Sequence, residues 1–73
     1  MRFVVPTAFY AGLGFAMRLQ DEGHDVVLAP RGIEDRRLAS RYARIGDGIV
    51  QKRPLADVVR DRGRYRDALW IWD

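Results

Sequence analysis

Two glycines, Gly12 and Gly14, could bring an anion close to the main chain in the segment formed by residues 7–16. Glycines spaced in this way before a helix allow a phosphate to approach unpaired main-chain N–H groups. Thr7 stands just ahead of them and offers a hydroxyl, while Arg31 follows the second apolar run and offers a positive charge. We therefore predict a small-ligand site formed by Thr7, Gly12, Gly14 and Arg31.

The same segment departs from a dinucleotide-binding fingerprint. Met17 stands where the third glycine of that motif would be, and no acidic residue follows the second apolar run to hold a ribose. Two other interpretations of the glycines therefore stay open: they allow a helix to pack closely against a strand, or they begin that helix. For Arg31 the open alternative is an ordinary surface arginine.

No other part of the chain suggests catalysis or metal binding. The chain has no cysteine, which excludes disulfides, thiolate nucleophiles and cysteine-ligated metals. His24 is the only histidine, and the acids around it, Asp21, Glu22 and Asp25, fit a solvated turn better than a metal site. We predict no catalytic residue, no metal site and no cofactor held by this chain alone.

Length and charge restrict the function further. The 73 residues, of which 48% are hydrophobic and 32% charged, fit one globular domain spanning residues 1–73. The net charge of +3 comes from 13 basic and 10 acidic residues that are mostly interleaved, so nucleic-acid binding is not predicted, although the basic cluster of residues 60–66 leaves that alternative open. No apolar run approaches the roughly 20 residues of a membrane span, and we expect a cytoplasmic protein.

Short apolar runs alternate with helical patterns along the chain. Residues 3–5, 25–29, 48–50 and 68–72 are typical of strands, and the first two end at Pro6 and Pro30. Between them, apolar residues recur at helical spacing: Leu13, Ala16 and Met17 within residues 10–22, then Leu38, Tyr42 and Ile45, then Leu55, Val58 and Val59. Gly23 and Gly63 stand where helices end, and Pro54 fits the first position of the third helix.

This alternation predicts an α/β fold. Repeated strand–helix–strand units give a parallel sheet covered by helices on both faces, which is a small three-layer, Rossmann-like arrangement. The expected strand order is 3-2-1-4. The last strand would then lie at an outer edge, although its sequence is that of an interior strand, and we predict an oligomer edge formed by Leu69, Trp70, Ile71 and Trp72. Either a second subunit or the rest of a longer polypeptide would cover it, unless a helix packs there.

Residues 12–29, with the sequence GLGFAMRLQDEGHDVVLA, resemble the first unit of the domain that precedes an ATP-grasp fold, especially in relatives of phosphoribosylamine glycine ligase. Residues 38–50 and 68–73 resemble later segments of the same domain. The histidine-containing glycine-rich loop of those ligases is absent, because residues 7–10 differ from it.

The resemblance implies a substrate-binding module that helps to hold the acceptor substrate of an ATP-dependent ligase. It also implies that this chain is not catalytic alone, because the ATP-binding and catalytic residues of such ligases lie in later domains. Two alternatives stay open: a free-standing homo-oligomeric module that pairs through its last strand, and a small nucleotide-binding domain. A stable dimer weakened by Trp70→Arg would favour the first alternative.

Overall fold

Strands and helices alternate along the computed structural model, which describes all 73 residues. The strands are β1 (Arg2–Thr7), β2 (Asp25–Pro30), β3 (Gln51–Lys52) and β4 (Leu69–Trp70). The helices are α1 (Leu13–Asp21), α2 (Arg36–Tyr42) and α3 (Leu55–Arg60), and a 3-10 helix spans Arg62–Tyr65. None of these helices is both long enough and apolar enough to cross a bilayer.

The four strands form one sheet in which every pair is parallel and the order is β3-β2-β1-β4. The central strands β1 and β2 pair along their whole length, from Arg2 opposite Asp25 to Thr7 opposite Pro30. The outer strands are short: β3 pairs with β2 and β4 pairs with β1. The predicted α/β fold and its strand order are confirmed.

Each face of the sheet has its own apolar core, because successive residues of a strand point to opposite faces. On one face Val5 and Leu28 pack under Ala16 and Leu19 of α1. On the other face the core consists of Val4, Val27, Ala29, Val58 of α3 and Tyr65 of the 3-10 helix. Burial of both faces explains why β1 and β2 are continuous apolar runs instead of alternating ones.

The third strand lies further along the chain than the predicted residues 48–50. Two glycines with positive φ, Gly46 and Gly48, produce successive turns before it. The N–H groups of Ile49 and Val50 both donate to the carbonyl oxygen of Gly46, at 3.0 and 3.2 Å, so they do not bond to β2. Pairing with β2 therefore begins only at Gln51.

The last strand is shorter than the predicted residues 68–72, and Pro6 explains why. The N–H of Ile71 donates to the carbonyl oxygen of Val4 at 2.9 Å, and that of Asp73 donates to Pro6 at 3.0 Å. Extended pairing with β1 therefore continues beyond Trp70. Proline has no N–H, so it cannot return a hydrogen bond to the carbonyl of Ile71, and the ladder is incomplete there.

All three predicted helices differ in extent or burial. Helix α3 ends at Arg60 instead of at Gly63, which lies within the 3-10 helix. Helix α1 begins at Leu13 instead of Tyr10, because Phe9 and Tyr10 have positive φ values of 52° and 62° that a helix does not accommodate. Helix α2 is capped by the Asp35 carboxylate, which accepts the N–H of Arg37 at 2.9 Å, but the helix buries no residue. Its predicted apolar stripe is therefore only partly covered.

Candidate functional site

A cavity of about 340 Å³ lies at the carboxyl ends of β2 and β3. Its wall combines the end of β2 with α2 and the start of α3, and its apolar part includes Pro30, Ile33, Ala39 and Leu55. The volume falls at the lower end of the roughly 300–1,000 Å³ that is usual for small-molecule pockets. The carboxyl edge of a parallel sheet is also where such folds bind ligands.

Two tyrosines form an aromatic wall of this cavity. The rings of Tyr10 and Tyr42 are nearly parallel, with an interplanar angle of 3° and centroids 5.9 Å apart. Phe9 packs its ring edge against Tyr42, at a centroid distance of 5.8 Å. Both Phe9 and Tyr10 have left-handed backbone conformations, which non-glycine residues adopt at a cost and which often mark functional loops. The loop after β1 is thus held in a strained form that directs aromatic side chains toward α2.

Lys52 joins the end of β3 to the segment that follows α2. Its ammonium donates to the carbonyl oxygens of Ala43 and Ile45, both at 2.9 Å, and forms an ion pair with Asp47. It also lies 5.2 Å from the centroid of the Tyr10 ring. Burial opposes the charged form of this side chain, yet the hydrogen bond to Asp47 and nearby negative charge raise the pKa of Lys52 above its ordinary value. The ammonium is therefore charged at neutral pH and fixes the wall of the cavity.

Arg31 follows β2 and lines both this cavity and a neighbouring one of about 340 Å³ beside Phe9, Glu34 and Leu38. Its main-chain N–H donates to the carbonyl oxygen of Thr7 at 2.9 Å, which joins the ends of the two central strands. The residue is exposed and forms no ion pair within the chain. Its guanidinium is therefore free to meet an anionic group at the mouth of the cavity beside Tyr10 and Tyr42, whose lining contains no acidic side chain.

The other predicted ligand contacts lie close to one another but differ in role. Thr7 is buried, and its hydroxyl oxygen accepts the N–H of Gly12 at 2.7 Å. A Cβ added to Gly12 would lie 3.0 Å from Val5 Cγ1, so this glycine allows the start of α1 to approach β1 closely. A Cβ on Gly14 would meet nothing within 4 Å. Thr7 and Gly12 therefore shape the loop, and Gly14 stands on the open first turn of α1.

The residues at the opposite end of the sheet do not form a site. His24 precedes β2, at the amino edge, and packs its ring against Phe3 with centroids 5.1 Å apart. The structure brings no three acidic or histidine side chains into a group that could hold a metal ion.

The predicted oligomer edge, residues 69–72, lies on the outer side of β1, at one end of the sheet. Trp70 is half-buried against the core on the α3 face, and Ile71 packs against the core on the α1 face. Leu69 and Trp72 are exposed, by 50% and 65% respectively. This edge is separate from the cavity beside β3, since the order β3-β2-β1-β4 puts them on opposite sides of the sheet.

Three residues of the cavity wall, Tyr10, Tyr42 and Lys52, were not predicted from the sequence. The helical spacing predicts Tyr42 only as part of an apolar stripe and Tyr10 only as a helix residue, and it assigns no role to Lys52. The available signal was the aromatic pair at residues 9–10, shortly after the first strand, together with the only lysine of the chain.

Fold and cavity together define an α/β protein with a Rossmann-like strand order and a cleft at the carboxyl edge of its sheet. Comparisons of the chain with protein-family models, with curated proteins and with solved structures found no match.

Proposed function

We propose that this chain is a Rossmann-like substrate-binding module that holds a small phosphate-bearing molecule in the cavity at the carboxyl edge of its sheet. The observation that carries the proposal is the cavity itself, where Arg31 stands beside apolar and aromatic walls. An apolar cleft with a few convergent polar groups is the usual form of a small-molecule site. Tyr10 and Tyr42 would contact the ring of the ligand, and Arg31 its phosphate.

The resemblance to the domain that precedes an ATP-grasp fold suggests the chemical class of the ligand. In that role the module would help to bind the acceptor substrate of an ATP-dependent ligase, and ATP would be bound by further domains. The chain by itself would not be catalytic. Ribose 5-phosphate is a stable probe for such a substrate, because it combines a sugar ring with a phosphate ester.

Thermal unfolding with a panel of ligands tests the proposal. A ligand that binds the native state raises the melting temperature by mass action. We expect ribose 5-phosphate to raise it more than inorganic phosphate does. A rise with AMP, ATP or NAD alone would favour the nucleotide-binding alternative, and no rise with any probe at millimolar concentration would refute a small-ligand site. ATP hydrolysis by the purified chain would contradict the view that it is not catalytic alone.

Two pairs of variants locate the binding site. Arg31→Gln should weaken binding of the phosphate ester by about tenfold or more, because it removes a charge-assisted hydrogen bond. Arg18→Gln, on the exposed side of α1, is the control and should bind normally. Ala39→Phe fills the cavity and should abolish binding, whereas Ser40→Phe adds the same ring to an exposed position of α2. Equal effects within either pair would place the site elsewhere.

A further inference from the structure

The two edges of the sheet differ in how they are protected. The edge formed by β3 consists of Gln51 and Lys52 and is followed by Arg53, so it is polar and charged. Charged side chains, lysine above all, are a usual means of preventing an exposed edge from pairing. The opposite edge, residues 69–72, carries only leucine, isoleucine and two tryptophans. One edge is therefore blocked against strand addition and the other is not.

The apolar edge also presents unpaired main-chain groups. The N–H groups of Ile71 and Asp73 donate to carbonyl oxygens of β1, at 2.9 and 3.0 Å. Alternate residues of a strand direct their main-chain groups to opposite sides within the sheet, so those of Trp70 and Trp72 face away from β1. These groups are the ones that an added strand would bond.

A groove beside this edge offers space for a side chain from the added strand. It measures about 630 Å³ and lies between α3, the 3-10 helix and β4. Trp70 and Val59 provide its apolar surface, and Arg62 and Arg66 line it with positive charge. An indole placed in this groove would contact apolar surface and the faces of two guanidinium groups, which favour aromatic rings.

We propose that the apolar edge pairs with the same edge of a second copy of this chain, antiparallel across a two-fold axis, so that two sheets become one eight-stranded sheet. A second copy fits because the edge is complementary to itself. Antiparallel pairing also brings the arginine-rich segment that precedes β4 near Asp73 of the partner subunit. Head-to-tail pairing with β3 is disfavoured, because the β3 edge is charged.

Main-chain hydrogen bonding selects one register for this pairing. The outward groups belong to Trp70 and Trp72, so these residues form the hydrogen-bonded pairs. If Trp70 faced Trp70 of the partner subunit, Trp72 would oppose Ala68 of the partner subunit, whose N–H already donates to the carbonyl oxygen of Tyr65 at 3.1 Å. If Trp70 instead faces Trp72 of the partner subunit, both outward residues of each copy form hydrogen-bonded pairs. Directly opposite residues share a face, so the partner's Trp72 then reaches the groove beside Trp70.

Sedimentation of the full chain at increasing concentration tests whether the dimer forms. The interface is small compared with the roughly 800 Å² per partner of a standard complex, so we expect a dissociation constant on the order of 10 µM. Trp72→Lys should weaken association by at least about tenfold while leaving the far-ultraviolet circular dichroism unchanged. Met17→Lys, an exposed apolar position on α1, is the control and should dimerise normally. A folded wild-type chain that stays monomeric up to millimolar concentration would overturn the proposal.

The absence of cysteine allows the register to be tested by a single introduced thiol. In the proposed register Ile71 lies opposite Ile71 of the partner subunit, in a non-hydrogen-bonded pair whose Cα atoms are about 4.5 Å apart. That separation permits a disulfide. Ile71→Cys should therefore form disulfide-linked dimers under mild oxidation, whereas Leu69→Cys should not, because the two copies of residue 69 are far apart. Cross-linking through Leu69→Cys but not Ile71→Cys would refute this arrangement. Neither experiment involves a ligand, so its outcome is independent of the proposed substrate-binding function.

Discussion

The hydroxyl oxygen of Thr7 accepts the main-chain N–H of Gly12 at 2.7 Å, and both residues are buried. This bond closes the loop between β1 and α1 at the carboxyl edge of the sheet. Because the loop also carries Phe9 and Tyr10, the bond determines where the aromatic wall of the cavity begins. Thr7, which the sequence predicts as a direct ligand contact, therefore also helps to position the residues that line the cavity.

Replacement of Thr7 by valine should destabilise the protein by about 1–3 kcal/mol, because the side chains have similar volume but the buried N–H of Gly12 loses its acceptor. Thr7→Ser keeps the hydroxyl and should cost only the lost methyl group, about 1 kcal/mol. Urea unfolding followed by tryptophan fluorescence measures both values. A valine variant as stable as the serine variant would show that the hydrogen bond contributes nothing.

The two glycines near the start of α1 should respond in opposite directions to alanine. At Gly12 the added Cβ would lie 3.0 Å from Val5 Cγ1 and 3.2 Å from Thr7 Oγ1, and such crowding typically costs about 1–3 kcal/mol. At Gly14, within α1, the Cβ meets nothing, so alanine should stabilise the helix by about 0.5–1 kcal/mol. The free energies of unfolding of Gly12→Ala and Gly14→Ala test both statements, and equal values would contradict the close approach of α1 to β1.

The strand order could be predicted from the sequence, because alternating strands and helices allow few arrangements of a parallel sheet. The predicted strand boundaries were less accurate where main-chain groups form hydrogen bonds within a local turn instead of with the neighbouring strand. Ile49 and Val50 are apolar enough for a strand, yet Gly46 and Gly48 turn the chain so that their N–H groups bond locally. At β4 the limit comes from Pro6, a residue of the neighbouring strand, which no inspection of the β4 sequence reveals.

The cavity was only partly predictable for a related reason. Arg31 directly follows β2, so locating the strand also located the arginine. Tyr10, Tyr42 and Lys52 are separated along the chain and meet only after folding. The left-handed conformations of Phe9 and Tyr10 could not be predicted, because aromatic residues seldom adopt positive φ and tertiary packing overrides that preference here.

Loss of the Lys52 ammonium should loosen the segment after α2. Its hydrogen bonds satisfy the carbonyl of Ala43, which the end of α2 leaves unpaired, and the carbonyl of Ile45 in the turn that follows. Lys52→Met keeps most of the aliphatic chain but removes these bonds, and we expect a cost of about 1–2 kcal/mol in unfolding free energy. Hydrogen exchange should increase most in residues 36–50. Arg44→Met removes an exposed cation from the same segment and serves as the control; an equal effect would indicate a general role of charge.

Protonation of Asp61 at acid pH should weaken the contacts through which Arg53 attaches the 3-10 helix to the end of β3. Arg53 donates to the Asp61 carboxylate at 2.8 Å and to the Tyr65 hydroxyl at 2.7 Å, joining the end of β3 to α3 and the 3-10 helix. The hydrogen bond from Arg53 holds the pKa of Asp61 below its ordinary value of 3.8. The folded state therefore binds its proton less readily than the unfolded state does. This stabilisation is fully present above about pH 4 and is lost as the pH falls through the lower folded-state pKa.

Asp61→Asn should therefore lower stability at neutral pH and flatten its dependence on pH in the acid range, because the amide keeps the shape of the side chain but not its charge. Urea unfolding between pH 2 and pH 7 measures both effects. Asp21→Asn, at an exposed carboxylate without an ion pair, is the matched control and should leave the acid-range slope of the wild type unchanged. If the Asp61 variant kept the full wild-type slope, the acid sensitivity would arise from other carboxylates, and the Arg53–Asp61 ion pair would make no contribution to it.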